Sequence, residues 1–465
     1  MLSFHMEVVA MIILCGGIQM VIKKISIKKL HKEYNYSVEF DSRLTFLYGS
    51  NGCGKTTVLN MLAAIVTGKI YNLSDYMFDD ILLEYINENK KCKTISIKVD
   101  NLNNSRKMSV IFENDLYVIE DFNDLKENLF RKSDDDNLDR LFFTMYPFAQ
   151  KIKEIFNYVY LPLNRYGNDT YRENTDYYRY LSSRRYYSLQ QKNPYNTYLN
   201  ESLQYISELI KNSCMDINVQ ENRVNDRFRK DVLSSSISVS SDMRIGQIIE
   251  EIDKCKWEDV EKLKSAYIKT LDEIGVYDEI LKKKIEQFFA EFKKAYDEYQ
   301  KKINDKGGIQ INFAWQYGEF LKIKSIAQLA KENEKRKEEI RKSKEIFLEV
   351  INDFFTTSGS DKKLLITNQG QVYFETHSQK LKLTDLSSGE KQIVITFASL
   401  IFGLKGKKTG IFIVDEPEAS LHLEWQSKFV PAILRTTPNI QLIFATHSPE
   451  LIGKYRKNAF KLQKR

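Results

Sequence analysis

The sequence predicts an α/β protein, a mixed sheet with helices and a β side sheet, interrupted by a mainly helical insertion. Three observations predict it. Residues 47–62, LYGSNGCGKTTVLNML, set a glycine-rich turn between a β-like run and an apolar helix. Near the other end, IFIV and LIFA are continuous apolar runs of the kind that form strands buried on both faces of a parallel sheet, and they lead into Asp415-Glu416 and His447. Between them, residues 166–357 read as charged amphipathic helices. With 465 residues, 42% hydrophobic and 29% charged, the chain can fold a large core and two or three structural units.

In chain order, the opening MLSFHMEVVAMIILCGGIQM is apolar but too short and interrupted to span a bilayer, and it lacks a basic leader. The alternation that begins at MVIKKISIKKL predicts a translation start at Met20. From there to about Thr67 the reading is strand, turn, strand (RLTFLY), glycine loop, helix (TTVLNMLAAIV). Runs such as KTISIKVD and SVIFENDLYVI predict an antiparallel side sheet, and YVYLPL at 158–163 a buried strand closing a first part, residues 1–165. In the insertion, residues 166–357, Leu281, Ile285, Phe288, Phe292, Tyr296, Tyr299 and Ile303 step by three or four, the seam of a helical hairpin or short coiled coil that stops at Gly307 and Gly308. KENEKRKEEIRKSKE (331–345) reads as a solvated helix. TTSGSDKK (356–363) is the return linker, and KLLITN and QVYFET lead into a second α/β part, residues 358–465.

Charge and rare residues narrow the function classes. The net charge of +7 suits nucleic-acid contact and an ordinary cytosolic protein alike. Cys15, Cys53, Cys92, Cys214 and Cys255 show no C-x-x-C spacing, which predicts a reducing, cytoplasmic setting without structural zinc. Five scattered histidines argue against a histidine-rich metallohydrolase. No membrane association is expected.

Four motifs carry chemistry. Gly49-Ser50-Asn51-Gly52-Cys53-Gly54-Lys55-Thr56 fits G-x-x-x-x-G-K-[ST], with Thr57 next in the helix. The glycines let backbone N–H groups wrap a phosphate, Lys55 neutralises its charge, and the Thr56 hydroxyl suits Mg²⁺. Asp415, ending its strand, can reach Mg²⁺ or its water shell, and Glu416 stands where a carboxylate polarises an attacking water. LSSGEKQIVITFASLIFG opens an apolar helix with Ser387 or Ser388 as N-cap and Glu390 in the first turn. His447 follows a strand, at the carboxyl end of the sheet where open α/β folds bind ligands.

In this order the four elements resemble the ABC ATPase family. DEPEASLH followed by WQ and THSP is similar to its OLD-like, RecF/SMC-related branch and unlike transporter subunits. The resemblance covers about residues 20–70 and 360–460. It implies an ABC-type P-loop NTPase head that binds ATP and Mg²⁺. Leu386 to Glu390 match the signature loop, normally L-S-G-G-Q; Ser387 and Gly389 are retained, while Ser388 and Glu390 depart from the transporter form. By position, Asp415 is the metal-side carboxylate with Thr56, Glu416 the catalytic base, Ala419 to His422 the D-loop and His447 the switch histidine. Gln150 has the wrong setting for a Q-loop, and Tyr34 and Tyr36 both stand open as the adenine-stacking aromatic.

The resemblance also implies partners. Each ATP is completed by the signature loop of a second copy, so a head-to-head dimer or higher homo-oligomer is expected. The chain is similar to stand-alone ATPase subunits of bacterial anti-phage systems of the PARIS and Septu types, whose nuclease is a separate protein. The 18 residues after His447 are too few for the TOPRIM domain of fused OLD-like proteins, which places any nuclease-like effector on another polypeptide. The alternative is a RecF/SMC-like DNA-repair ATPase that binds DNA through its insertion. Arg165, Arg172, Arg179, Arg184 and Arg185 interleave with tyrosines there, a mixture suited to nucleic acid and to protein partners.

Overall fold

A computed structural model describes residues 20–87, 89–102, 105–122, 125, 129, 138–161, 194–237, 256–274, 277–303, 311–403 and 410–464. The opening apolar stretch, Cys15, Cys255, Gly307, Gly308 and the arginine–tyrosine stretch up to residue 193 lie outside the described residues. Two compact units make up the chain: residues up to Ser213 with Ser343–Arg465, and Cys214–Lys342.

In the first unit a five-stranded parallel sheet runs in the order β14-β3-β13-β12-β8. Its strands are β3 (Leu44–Tyr48), β8 (Tyr158–Leu161), β12 (Gly410–Asp415), β13 (Ile440–Thr446) and β14 (Ala459–Lys461). β12 and β13 are buried at every residue, as their unbroken apolar runs require. Register then sets function: Asp415 lies beside Ala445, and Thr446 beside Tyr48. The carboxyl ends of β3, β12 and β13 are therefore level, and the glycine loop, Asp415-Glu416 and His447 leave the sheet along one edge. Helix α1 (Lys55–Val66) follows the glycine loop and is buried from Met61 to Val66, consistent with its apolar composition on all sides.

A six-stranded antiparallel sheet, order β2-β1-β4-β5-β6-β7, forms the side sheet. It comprises β1 (Val21–Leu30), β2 (Tyr34–Glu39), β4 (Asp80–Ile86), β5 (Cys92–Leu102), β6 (Ser105–Phe112) and β7 (Asp115–Ile119). Three strands thus precede the glycine loop where the reading strand, turn, strand allowed two. The first two pair as a hairpin in the side sheet because their polar and apolar residues alternate, and only β3 is apolar enough for the parallel sheet. A smaller sheet holds β9 (Lys363–Ile366), β10 (Val372–Glu375) and β11 (Lys380–Leu381).

The two large sheets are cross-linked by Gln441, a polar residue inside β13 that is 0% exposed. Its amide accepts from Ile22 N–H at 2.9 Å and donates to the carbonyls of Ile22 at 2.8 Å and Asp41 at 2.9 Å. Gln441→Leu keeps the bulk but strands these backbone groups, so a loss of about 3 kcal/mol is expected, read as a lowered melting temperature. Lys69, also fully buried, pairs with Asp139 at 2.9 Å, and Asp139 accepts the Tyr71 hydroxyl at 2.6 Å. That pairing is what allows an ammonium inside the core.

The second unit has an aromatic core. Helix α5 (Trp257–Ile274) supplies Val260 and Leu271, α6 (Glu279–Ile303) supplies Ile285, Phe289, Phe292 and Tyr299, and the first part of α7 (Ile311–Thr357) supplies Phe313, Tyr317 and Phe320. Phe292 stacks on Phe320 with ring centroids 4.9 Å apart. The predicted seam is the buried side of α6, with Leu281, Phe288 and Tyr296 at its margin. α6 ends at Ile303, where the seam ends, and two longer helices run beyond this unit: α4 (Pro194–Ile237) has 44 residues and α7 has 47. Lys331, Glu332, Lys335, Arg336, Glu338 and Glu339 are exposed on α7, as a solvated helix requires.

Candidate functional site

The glycine loop is held by its own atoms. Gly52 and Gly54 adopt φ of +74° and +96°, open to glycine and strained for other residues. A Cβ on Gly54 would lie 2.6 Å from the Tyr36 hydroxyl, and one on Gly49 2.8 Å from Cys53 Sγ. Tyr36 reaches in from β2 and donates to the Cys53 carbonyl at 3.0 Å, so its ring serves the loop's underside. Tyr34, the other aromatic candidate, is half-buried, with Lys464 Nζ 4.3 Å from its ring centroid.

Lys55 is 5% exposed, and its ammonium curls back onto the loop, 3.3 Å from Gly49 O and 3.4 Å from Ser50 O. It also meets His447 Nε2 at 2.5 Å, and that nitrogen lies 3.7 Å from Glu416 Oε1. A buried cation beneath a helix N-terminus and a turn rich in N–H groups is a receptor for phosphate.

Asp415 is 3% exposed, and neither oxygen has a partner of good hydrogen-bond geometry. Burial pushes its carboxyl up to about 6; the Thr56 hydroxyl and Lys55 oppose the rise, and the charges of Glu416 and Glu418 add to it. A buried carboxylate lacking good partners beside a threonine hydroxyl fits a divalent cation. Among the described residues no group of three His, Cys, Asp or Glu side chains could hold a metal. Thr56 and Asp415, completed by water and phosphate oxygens, would suit the coordination habit of Mg²⁺.

Glu416 adopts φ of +46°, a strained value for a residue with a side chain, and its N–H donates to Ala445 O at 2.8 Å. That bond continues the sheet one residue past Asp415 and aims the carboxylate toward His447.

The loop at 387–390 is built separately. Ser387, and not Ser388, is the N-cap of α8 (Ser388–Phe402): its hydroxyl accepts from Glu390 N–H at 3.3 Å, and Glu390 accepts from Ser387 N–H at 2.8 Å. Lys362 Nζ sits 2.8 and 3.0 Å from the two Glu390 oxygens. Gly389 is obligatory, because a Cβ there would come 2.5 Å from Ser420 O.

Lys55, Asp415, Glu416 and His447 are therefore brought to one edge, while Ser387, Gly389 and Glu390 meet Lys362 and the Ser420 turn. Sequence reasoning gave no role to Glu418, Gln426 or Lys362 and left Tyr36 open. Glu418 and Gln426 stood inside the quoted DEPEASLH and WQ, but a carboxylate or amide that serves backbone groups has no spacing signature.

Residues 20–452 match the family described as AAA ATPase domain, AAA_15. The chain is 35% identical over 82 residues to a retron Ec83 probable ATPase of Escherichia coli, covering 15% of each chain. It is 30% identical over 100 residues to a Septu protein PtuA of Bacillus thuringiensis, covering 19% of this chain and 23% of that one. Each of these alignments spans less than a quarter of the relative's length. Among solved structures, an Smc head domain with an extended coiled coil from Pyrococcus furiosus aligns with a TM-score of 0.40 at 12% identity, over 96% of this chain and 94% of that one.

Proposed function

The chain belongs to the AAA ATPase domain family, and on that premise we propose that it binds and hydrolyses ATP as a subunit of an anti-phage defence complex. Closure of two heads on ATP would control a separate nuclease or toxin effector. The observation that carries the hydrolytic reading is the convergence of Lys55, His447 and Glu416, at 2.5 and 3.7 Å, above the glycine loop.

The residues take these roles. N–H groups of Gly49 to Thr57 cradle the phosphates, and Lys55 exchanges the Gly49 and Ser50 carbonyls for phosphate oxygens. Thr56 and Asp415 would hold Mg²⁺, which would neutralise phosphate charge. Glu416 orients the attacking water and accepts its proton, and His447 donates toward the terminal phosphate. Ser387 and Ser388, both exposed, form the surface offered to the nucleotide of a second copy, with Gly389 and Glu390 buried behind them as its support. Ser387 and Glu390 cap each other, so that surface is rigid before a partner arrives.

The defence role is supported by relatives named as retron ATPases and Septu proteins. Phosphate release by the purified chain, and phage plaque counts in cells carrying its neighbouring genes, test both halves of the reading. Lys55→Ala is expected to lower hydrolysis at least about 100-fold and to abolish protection. Equal turnover by wild type and Lys55→Ala would defeat the ATPase assignment. Loss of turnover with no change in plaque counts would defeat the defence role and favour DNA repair.

A further inference from the structure

Glu418 stands two residues beyond Glu416 and, apart from its charge near Asp415, has no role so far. Its Oε1 accepts three hydrogens from a single turn: the Thr446 hydroxyl at 2.7 Å, His447 N–H at 2.7 Å and Ser448 N–H at 3.2 Å. Its Oε2 is buried without a partner. Three donors on one oxygen call for an anionic acceptor. The same turn is held from a second side, where the Ser448 hydroxyl donates to Gln426 Oε1 at 2.6 Å and Gln426 Nε2 donates to Leu421 O at 3.0 Å.

The backbone between these anchors is tightly wound. Glu416 and Ser420 have φ of +46° and +71°, and the Ala419 N–H closes onto Glu416 O at 3.0 Å. At the far end of this turn Ser420 O abuts Gly389 so closely that no Cβ fits between them. At the near end His447 carries its ring against Lys55.

We propose that Glu418 is a positioning residue that fastens the Thr446–Ser448 turn to the Glu416–Leu421 turn, so that His447 and the loop at Gly389 move as one piece. The inference deepens the ATPase reading and rests on it. Pressure on the loop at Gly389 from a second copy passes through Ser420 and Glu418 to the ring of His447. Glu418 touches no part of residues 49–56 through these bonds, so its loss should spare nucleotide binding and impair turnover.

The test compares wild type, Lys55→Ala, Glu418→Met, Glu418→Gln and Thr446→Val for steady-state hydrolysis and for ATP binding. Glu418→Met is expected to lower kcat about 30-fold, with ATP affinity within about threefold of wild type. Glu418→Gln keeps an acceptor oxygen but not its charge, and should recover part of that loss. Thr446→Val is isosteric and removes one of the three donors; a kcat lowered about fivefold at unchanged affinity is expected, and it decides the matter if Glu418→Met does not fold. Unchanged kcat in the variants that fold, or parallel losses of kcat and affinity, overturn the positioning role. An inactive wild type, or an active Lys55→Ala, overturns the ATPase reading and this inference with it. An active wild type, a dead Lys55→Ala and a fully active Glu418→Met overturn the positioning role alone.

Discussion

Glu416→Gln is expected to bind ATP as wild type does, hydrolyse it at least about 100-fold more slowly, and accumulate as a nucleotide-loaded dimer. The substitution is nearly isosteric. It keeps the Glu416 N–H bond to Ala445 O and the left-handed φ, so the edge of the sheet is undisturbed. What it removes is the group able to take a proton from water, together with the negative charge 3.7 Å from His447 Nε2. Lys55, Thr56 and Asp415, the residues assigned to the phosphates and Mg²⁺, are untouched. Single-turnover hydrolysis, with mass measured in solution with and without ATP, reads both effects. Wild-type turnover would show that another group serves as base. A slow but monomeric variant would separate hydrolysis from dimerisation and remove the mechanical half of the proposal. The trapped variant, tagged and purified from cells carrying its neighbouring genes, also tests the effector: a nuclease-like protein in fixed ratio supports a defence ATPase, and a bare dimer retaining DNA supports repair.

The parts of this head that were legible in the sequence share a physical cause. Strands β12 and β13 had to be apolar at nearly every position because both faces are covered, and that continuity is visible in IFIV and LIFA. The glycine loop was legible because positive φ at Gly52 and Gly54 admits few other residues. Gln441 shows what periodicity misses: one amide inside an apolar strand looks like an imperfection until Ile22 and Asp41 are seen to need it. The reading strand, turn, strand left one strand where β1 and β2 stand, and pattern alone does not say which sheet such a hairpin joins. The length of α7 was hidden by its charged stretch, where exposure on most sides erases the apolar stripe. Glu418 was missed for a related reason, since its partners lie 28 to 30 positions away and two of them are backbone N–H groups, which carry no sequence identity.

Asp415→Asn is expected to abolish hydrolysis and, without nucleotide and divalent cations, to melt at a higher temperature than wild type at about pH 7.5. The Asp415 carboxyl is pushed up from 3.8 to about 6, chiefly by burial. Between those values the folded chain keeps a proton that the unfolded chain has released. Wild-type stability therefore falls as pH rises from about 4 to about 6, and the full deficit, about 3 kcal/mol, persists at higher pH. Asparagine does not titrate, so the variant's advantage should be near zero at about pH 4 and complete above about pH 6. Mg²⁺ with ATP should reverse the order, because only the carboxylate gains from a bound cation. Melting curves across this pH range in chelator, repeated with Mg²⁺ and ATP, check each step. A variant less stable than wild type at about pH 7.5 in chelator would mean that the carboxylate is already satisfied in the empty head. The opposite result would mean that the charge at 415 is retained for what binds it, since the empty head is more stable without it.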